Sequence, residues 1–366
     1  MLVLFKIIYY FLEIIYLASL ESVHTIRWIN FFSELKGYKI SCISNKKINS
    51  NLNKNVDVYQ LKGIKFISVF LKSIYLLSSK RKEIIHVHYL GWNSLLLLFA
   101  SKTKKIILTP WGCDLYENKN NFLKRIWLKY IFSRCSFLIC DSENLIKASF
   151  KLGYKSNKAK VIAFGTNTFE YKSHREPFSL DKNQKTMVGT NRNMEPIYDP
   201  LTLLKAANLL KDETENFRFI IANDGSLKSN IKKYIKDNNL ETFVELVGKK
   251  YGQENIEFYN SIDIYVSTSL RDGGLSASIA EAMSCKRLVI VSDNSDNSKF
   301  INHGNSGYLF QNKDHIELAN LIKNAAINKS KSLKIANEGR NSILLKCNYH
   351  SEMEKVNKLY NEIYAT

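Results

Sequence analysis

Ile264-Tyr-Val-Ser-Thr-Ser-Leu-Arg-Asp-Gly-Gly-Leu-Ser-Ala-Ser-Ile-Ala-Glu-Ala-Met-Ser284, followed by Leu288-Val-Ile-Val-Ser292, is the stretch on which the reading of the fold turns. The run from Ile264 to Ser267 is short, β-branched and aromatic, as in a strand buried on both faces. It enters a loop holding Gly273, Gly274 and Leu275, and a helix is expected over residues 276–284, opening at Ser276. Glycines at a strand-to-helix turn let a ligand approach the backbone, and a helix start offers unpaired N–H groups to an anion. Glu281 lies further along that helix, where its carboxylate can accept from paired hydroxyls such as those of a ribose. Phosphate at the helix start and a diol beyond it describe a nucleotide-diphosphate sugar. A glycine pair alone would be a plain turn, and Glu281 alone a solvated residue; the order of the whole stretch argues for more.

A chain of 366 residues, 45% hydrophobic and 24% charged, has room for two domains with separate cores. The six cysteines, Cys42, Cys113, Cys135, Cys140, Cys285 and Cys347, form no Cys-x-x-Cys, and the histidines do not cluster. They read as reduced, mostly buried thiols of a cytosolic protein, without a structural zinc site. The net charge of +19 is uneven: residues 1–170 carry 26 Lys and Arg against 10 Asp and Glu, and residues 171–366 carry 27 against 24. A basic first half points to an anionic partner there: a membrane surface, a lipid-diphosphate acceptor or nucleic acid. Residues 80–82, Lys102 with Lys104 and Lys105, and Lys124 with Arg125 are the candidate patch, or else ordinary solvated faces.

Residues 1–18 are almost wholly apolar but are interrupted by Lys6 and Glu13. Residues 1–13 are read as a short apolar leader, lying at a membrane interface or arising from an upstream start, before a strand at 14–18. Strand and helix then alternate. Strands are expected at 39–44, 56–61, 84–88, 105–109, 137–140 and 161–164, with helices at 25–35, 66–77, 93–100, 122–132 and 145–152. Residues 166–185 read as a linker between a first domain at 1–165 and a second at 186–366. The second domain repeats the pattern with strands at 186–189, 217–222, 244–247, 264–267 and 288–291. Such alternation implies parallel sheets with helices on both faces and ligands at the strands' carboxyl ends.

Glu281-Ala-Met283, the strand at Leu288 and the turn Asn305-Ser-Gly307 resemble the donor-binding signature of retaining GT-B glycosyltransferases, the family-4-like group. The first acidic position of that signature falls on Gly273, with Asp272 one place further back. Either Asp272 fills the role or the sugar is held differently. Elsewhere, Ser22-Val-His24-Thr, Ile85-His-Val-His88-Tyr, Thr109-Pro-Trp111-Gly-Cys-Asp114, Phe164-Gly-Thr-Asn167, Asn223-Asp-Gly-Ser226 and Val244-Glu-Leu-Val-Gly248 resemble the family's turns and strand ends.

The resemblance implies an α/β fold of two Rossmann-like domains across a cleft, with the last helix able to return to the first domain. It also implies transfer from a nucleotide sugar to a lipid-linked or polysaccharide acceptor, with retention. It assigns catalytic roles to His24, Asp114 and Asp272, and donor binding to Arg192, Gly248, Gly273, Gly274, Leu275, Ser276 and Glu281. Ser22, His88 and Trp111 fall on the acceptor side. No Asp-x-Asp stands near either donor segment, so no metal or other cofactor is expected.

The expected setting is peripheral, at the cytoplasmic face of an anionic plasma membrane, in capsule, O-antigen or exopolysaccharide synthesis. No nucleic-acid partner is expected, the sequence holding no motif for one. A non-catalytic nucleotide-sugar binder, a hydrolysing epimerase of the same fold and a nucleic-acid-binding protein stay as alternatives.

Overall fold

Short apolar runs separated by amphipathic segments form two parallel sheets. The computed structural model describes residues 12–79, 83–116, 121–178, 184–213, 216–272, 274–294 and 296–365. The apolar leader lies almost wholly outside the described residues, as do residues 80–82 and Gly273.

The chain forms two units, residues 1–162 with 353–366, and residues 163–352. In the first, β1 (Leu12–Leu17), β2 (Tyr38–Ser44), β3 (Asp57–Gln60), β4 (Ile84–His88), β5 (Lys105–Thr109), β6 (Phe137–Cys140) and β7 (Ala159–Val161) lie in the order 3-2-1-4-5-6-7. All the pairings are parallel, and the order reverses between β1 and β4. Doubly wound sheets open their ligand crevice at such a switch point, at the strands' carboxyl ends. The helices that matter here are α1 (Val23–Glu34), α2 (Phe66–Ser78), α3 (Cys113–Tyr116) and α4 (Phe122–Arg134). β4 and β5 are buried nearly throughout, as strands covered on both faces must be.

Two expectations shift. The strand expected at 161–164 lies at Ala159–Val161, an edge strand that is largely solvated and includes Lys160. The helix expected at 93–100 is a 3-10 helix, Trp92–Phe99.

In the second unit β8 (Thr186–Thr190), β9 (Phe217–Ala222), β10 (Val244–Gly248), β11 (Ile264–Ser267), β12 (Leu288–Ser292) and β13 (Tyr308–Phe310) give the order 10-9-8-11-12-13, again parallel. The switch point lies between β8 and β11. α5 (Gln253–Ser261) and α6 (Ala277–Ser284) flank β11 in sequence. The segment before β8 is fastened to its own unit: Arg175 Nη1 lies 2.9 Å from Asp263, and Phe178 enters the core.

A helix at Tyr349–Ala365 begins in the second unit and ends in the first. There the Tyr360 hydroxyl sits 2.9 Å from the Tyr16 hydroxyl and 2.5 Å from His86 Nδ1, both fully buried in the sheet. His86 Nε2 meets the Thr109 hydroxyl at 2.7 Å, so this helix is wired to three strands through polar atoms.

Candidate active site

Residues expected at the site gather at the carboxyl ends of both sheets. In the second unit Ser276 caps α6, its Oγ accepting from the Ile279 amide at 3.4 Å. Gly274 is buried and Leu275 packs on the core beneath, so the loop is anchored where it turns into the helix. The first amides of α6 are the ones a helix start leaves for an anion, and the helix dipole adds partial positive charge there.

Arg192, just past β8, aims at this point. Its Nε donates to Ser269 Oγ at 3.1 Å and Nη1 to Ser278 Oγ at 3.2 Å, while Nη2 is ion-paired with Asp272. The guanidinium lies over the Tyr198 ring, 4.2 Å from its centroid. Burial works against the Arg192 charge, but the Asp272 carboxylate outweighs it and the pKa rises. The Asp272 side chain, 7% exposed, is thus held against Arg192. Asn294 sets its position, accepting from the Asp272 amide at 3.2 Å and donating to the Ser269 carbonyl.

Glu281 is half-buried on α6, and two donors from α5 fix its orientation. The Tyr259 hydroxyl donates to Oε2 at 2.9 Å and Asn255 Nδ2 does so at 3.3 Å. Asn191 ties this pair back to Arg192's own segment: its Nδ2 donates to Asn255 Oδ1 and Tyr259 at 2.8 Å, and it accepts from Tyr265 at 2.8 Å.

Sequence reasoning missed Asn191, Asn255, Tyr259 and Tyr265. Only the adjacency of Asn191 to Arg192 could have drawn attention to them. Gly248 ends β10 with φ +72°, and its carbonyl accepts from the Asn223 amide at 2.7 Å. Asn223 in turn reaches the Asn191 carbonyl at 2.9 Å, so the expected nucleobase border joins the same network. Gly225 in that turn must lack a side chain, because a Cβ there would lie 2.4 Å from the Met194 carbonyl.

In the first unit Ser22 caps α1, its Oγ accepting from the Thr25 amide at 3.4 Å, which sets His24 on the first turn. His24 meets Trp111 edge-on at 5.9 Å, and Trp111 meets His88 at 6.4 Å. These three come together. Burial first, then Arg27, holds the His24 pKa down to about 4; burial alone lowers that of His88 to about 3. Both rings are neutral at physiological pH. His88 is enclosed by Tyr16, Trp28 and His86, and neither of its ring nitrogens has a hydrogen-bond partner among the described residues.

Asp114 does not join them. Expected to face the sugar, it is fully buried, accepting from the amides of Leu90 at 2.8 Å, Trp111 at 3.0 Å and Gly112 at 2.9 Å. Burial raises its pKa, and the three amides pull it back. A carboxylate so enclosed clamps the loops after β4 and β5 and thereby positions Trp111. Among the described residues no three His, Cys, Asp or Glu side chains group so as to hold a metal ion, and no helix is long and apolar enough to cross a membrane.

Two Rossmann-like domains of this strand order, with an arginine and a helix start at one switch point, are the frame of the GT-B fold. The family comparisons agree: the model described as Glycosyl transferases group 1 matches residues 172–342, and Glycosyl transferase 4-like matches residues 13–142. The chain belongs to this family-4-like group of GT-B glycosyltransferases.

It is 31% identical over 194 residues to the poly(ribitol-phosphate) alpha-N-acetylglucosaminyltransferase of Staphylococcus aureus, covering 52% of this chain and 38% of that protein. It is 32% identical over 124 residues to the amylovoran biosynthesis glycosyltransferase AmsK of Erwinia amylovora, covering 32% of this chain and 30% of that one. These matches thus span well under half of either relative. Among solved structures, Anabaena HepE in complex with UDP superposes with a TM-score of 0.78 at 15% identity, covering 96% of this chain and all of that one. At that identity the likeness is one of fold.

Proposed function

We propose that the protein transfers a sugar from a nucleotide-diphosphate sugar to a lipid-linked or polysaccharide acceptor in cell-surface glycan synthesis, without a metal and with retention of anomeric configuration. The observation that carries the reading is the convergence of Arg192, Asp272 and the start of α6 on one point, with Glu281 held further along the same helix. As the donor's bond to the sugar breaks, negative charge collects on the departing diphosphate. Arg192's planar fork suits that oxygen array, and the amides opening α6 add oriented dipoles at no reorganisation cost.

Glu281, its carboxylate fixed by Tyr259 and Asn255, accepts from the ribose hydroxyls. Asp272 supplies the carboxylate for the donor sugar, since an unpaired hydroxyl in a dry site costs about 1–3 kcal/mol. In this reading the diphosphate takes over the Arg192 contacts and Asp272 turns to the sugar. His24, His88 and Trp111, neutral and aromatic, form the acceptor side, where the groups to be recognised are uncharged hydroxyls. Retention follows from the family resemblance, and cell-surface glycan synthesis is supported by the names of the two curated relatives.

The uneven charge supports work at an anionic membrane surface. UDP in the HepE structures makes uridine nucleotides the first to try. The test is a panel of nucleotide sugars, reading nucleoside diphosphate release with and without lipid extract and with and without EDTA. Acceptor-dependent, EDTA-resistant release is expected. Release independent of any acceptor would make the protein a hydrolase or epimerase, and binding without release a non-catalytic receptor.

A further inference from the structure

α2 carries its apolar residues outward. Of its 13 residues only Ser73 and Leu77 are buried, while Phe66, Ile67, Leu71 and Tyr75 are 45–76% exposed. A surface helix ordinarily turns its apolar stripe to the core; here Ile67, Leu71 and Tyr75, one turn apart, form a stripe facing solvent. Beside it the 3-10 helix Trp92–Phe99 leaves Trp92 77% and Leu98 57% exposed, and its Phe99 meets Phe70 of α2 edge-on at 5.7 Å. Between them runs an apolar groove of about 400 Å³, lined chiefly by Leu61, Phe66, Phe70, Trp92, Leu98 and Phe99. α4 is tied to the same 3-10 helix, Trp127 Nε1 donating to Ser94 Oγ at 3.0 Å, and adds exposed Phe122, Leu123 and Ile126. Exposed apolar side chains clustered in this way mark an interaction site.

The charges around it choose the occupant. Residues 61–79, 91–104 and 121–135, which build this surface, contain no Asp or Glu, and Lys62, Lys65, Lys72, Arg125 and Lys129 are exposed. Lys104, part of the patch expected from sequence, is not among them, because it is buried against Glu83. A second copy of the chain would bring cations against cations. An anionic bilayer offers hydrocarbon to the rings and phosphate to the lysines at the same depth.

We infer that the face formed by α2, the 3-10 helix and the start of α4 seats on an anionic phospholipid bilayer, with the groove receiving an acyl chain. This extends the membrane part of the proposed function from a net charge to a named surface, and it rests on that part only.

The test mixes the whole protein with phosphatidylcholine vesicles, with and without phosphatidylglycerol, and measures co-sedimentation. It also measures quenching of tryptophan emission by lipids brominated on the acyl chain. Binding is expected on the anionic vesicles only and to weaken with salt. Quenching should fall sharply in Trp92→Phe while binding persists. Ile67→Glu with Leu71→Glu should lower vesicle affinity by about tenfold or more, since charges replace apolar side chains at the interface. Nucleotide binding by this variant should match the parent protein, so loss of donor binding in both proteins would indict the transfer reading and leave the surface standing. Equal vesicle binding by parent and double variant overturns the inference. So does quenching indifferent to Trp92→Phe, or a lipid-free dimer that the double variant dissolves.

Discussion

The two sheets share a topology, yet their carboxyl ends are furnished in opposite ways. At the second, Arg192 and Asp272 keep a charged pair at 14% and 7% exposure, steadied by serine hydroxyls and the Tyr198 ring. At the first, His24, His86 and His88 sit among aromatic rings, each with a lowered pKa, so that end carries imidazole without charge. This holds although the first half of the chain bears most of the net positive charge. In the proposed reading, charge is kept where a leaving group is to be stabilised, the imidazoles stay neutral where hydroxyls are to be recognised, and exposed cations surround the apolar face of α2.

The widest break in this comparison would come from removing the charge. Arg192→Ala should cut nucleoside diphosphate release by about 10²–10³, the loss typical of one preorganised donor at a developing anion. Arg192→Lys should recover part of it, lacking the planar fork. A fall of less than about tenfold, with the melting curve showing a folded protein, would remove charge from the account of that end.

The neutral end is tested by acid. Below the ordinary histidine value near 6.5, the unfolded chain takes up protons that the folded first unit refuses until about pH 4 for His24 and about pH 3 for His88. Stability is therefore complete above pH 6.5 and should drop as pH falls toward 4, by about 1.4 kcal/mol per pH unit for each such histidine. Denaturant melts from pH 7 to 4 would show it, and His88→Phe should flatten the slope. An unchanged slope would mean that His88 is charged or solvated.

A smaller effect is expected at Glu281. The Gln variant keeps a partner for Tyr259 but is a poorer acceptor, so UDP affinity should fall by about 0.5–1.5 kcal/mol in calorimetry. Unchanged affinity would take Glu281 out of the donor site. Smallest is Tyr198→Leu, which removes the ring beneath the guanidinium and should cost about 0.5–1 kcal/mol of nucleotide affinity.

β4, β5 and β6 were legible to the residue, because a strand buried on both faces is a short, mostly apolar run. β7 was misplaced because an edge strand has no need of such a run. At the site, Glu281 was readable as a candidate from its place beyond a glycine turn, and Asp272 and Arg192 only through the family resemblance. Their supports were not, since Asn191 finds Asn255, Tyr259 and Tyr265 across 64–74 residues of chain and no local pattern announces such partners. Asp114 misled for a related reason: its place after a strand end suggested a ligand, and only the three amides around it reveal a clamp.

The Tyr360 hydroxyl set between Tyr16 and His86 bears on the order of events during synthesis. Domains generally fold as units, the earlier one first as the chain emerges from the ribosome. Here β1 and β4 are among the first strands made, but the phenol that satisfies their buried polar atoms is made only after all of residues 163–352. Until then His86 and Tyr16 wait without that partner, a cost buried polar groups do not bear cheaply. The first unit is thus closed last, and a ribosome stalled anywhere in the second would hold out an N-terminal sheet whose centre is unfinished.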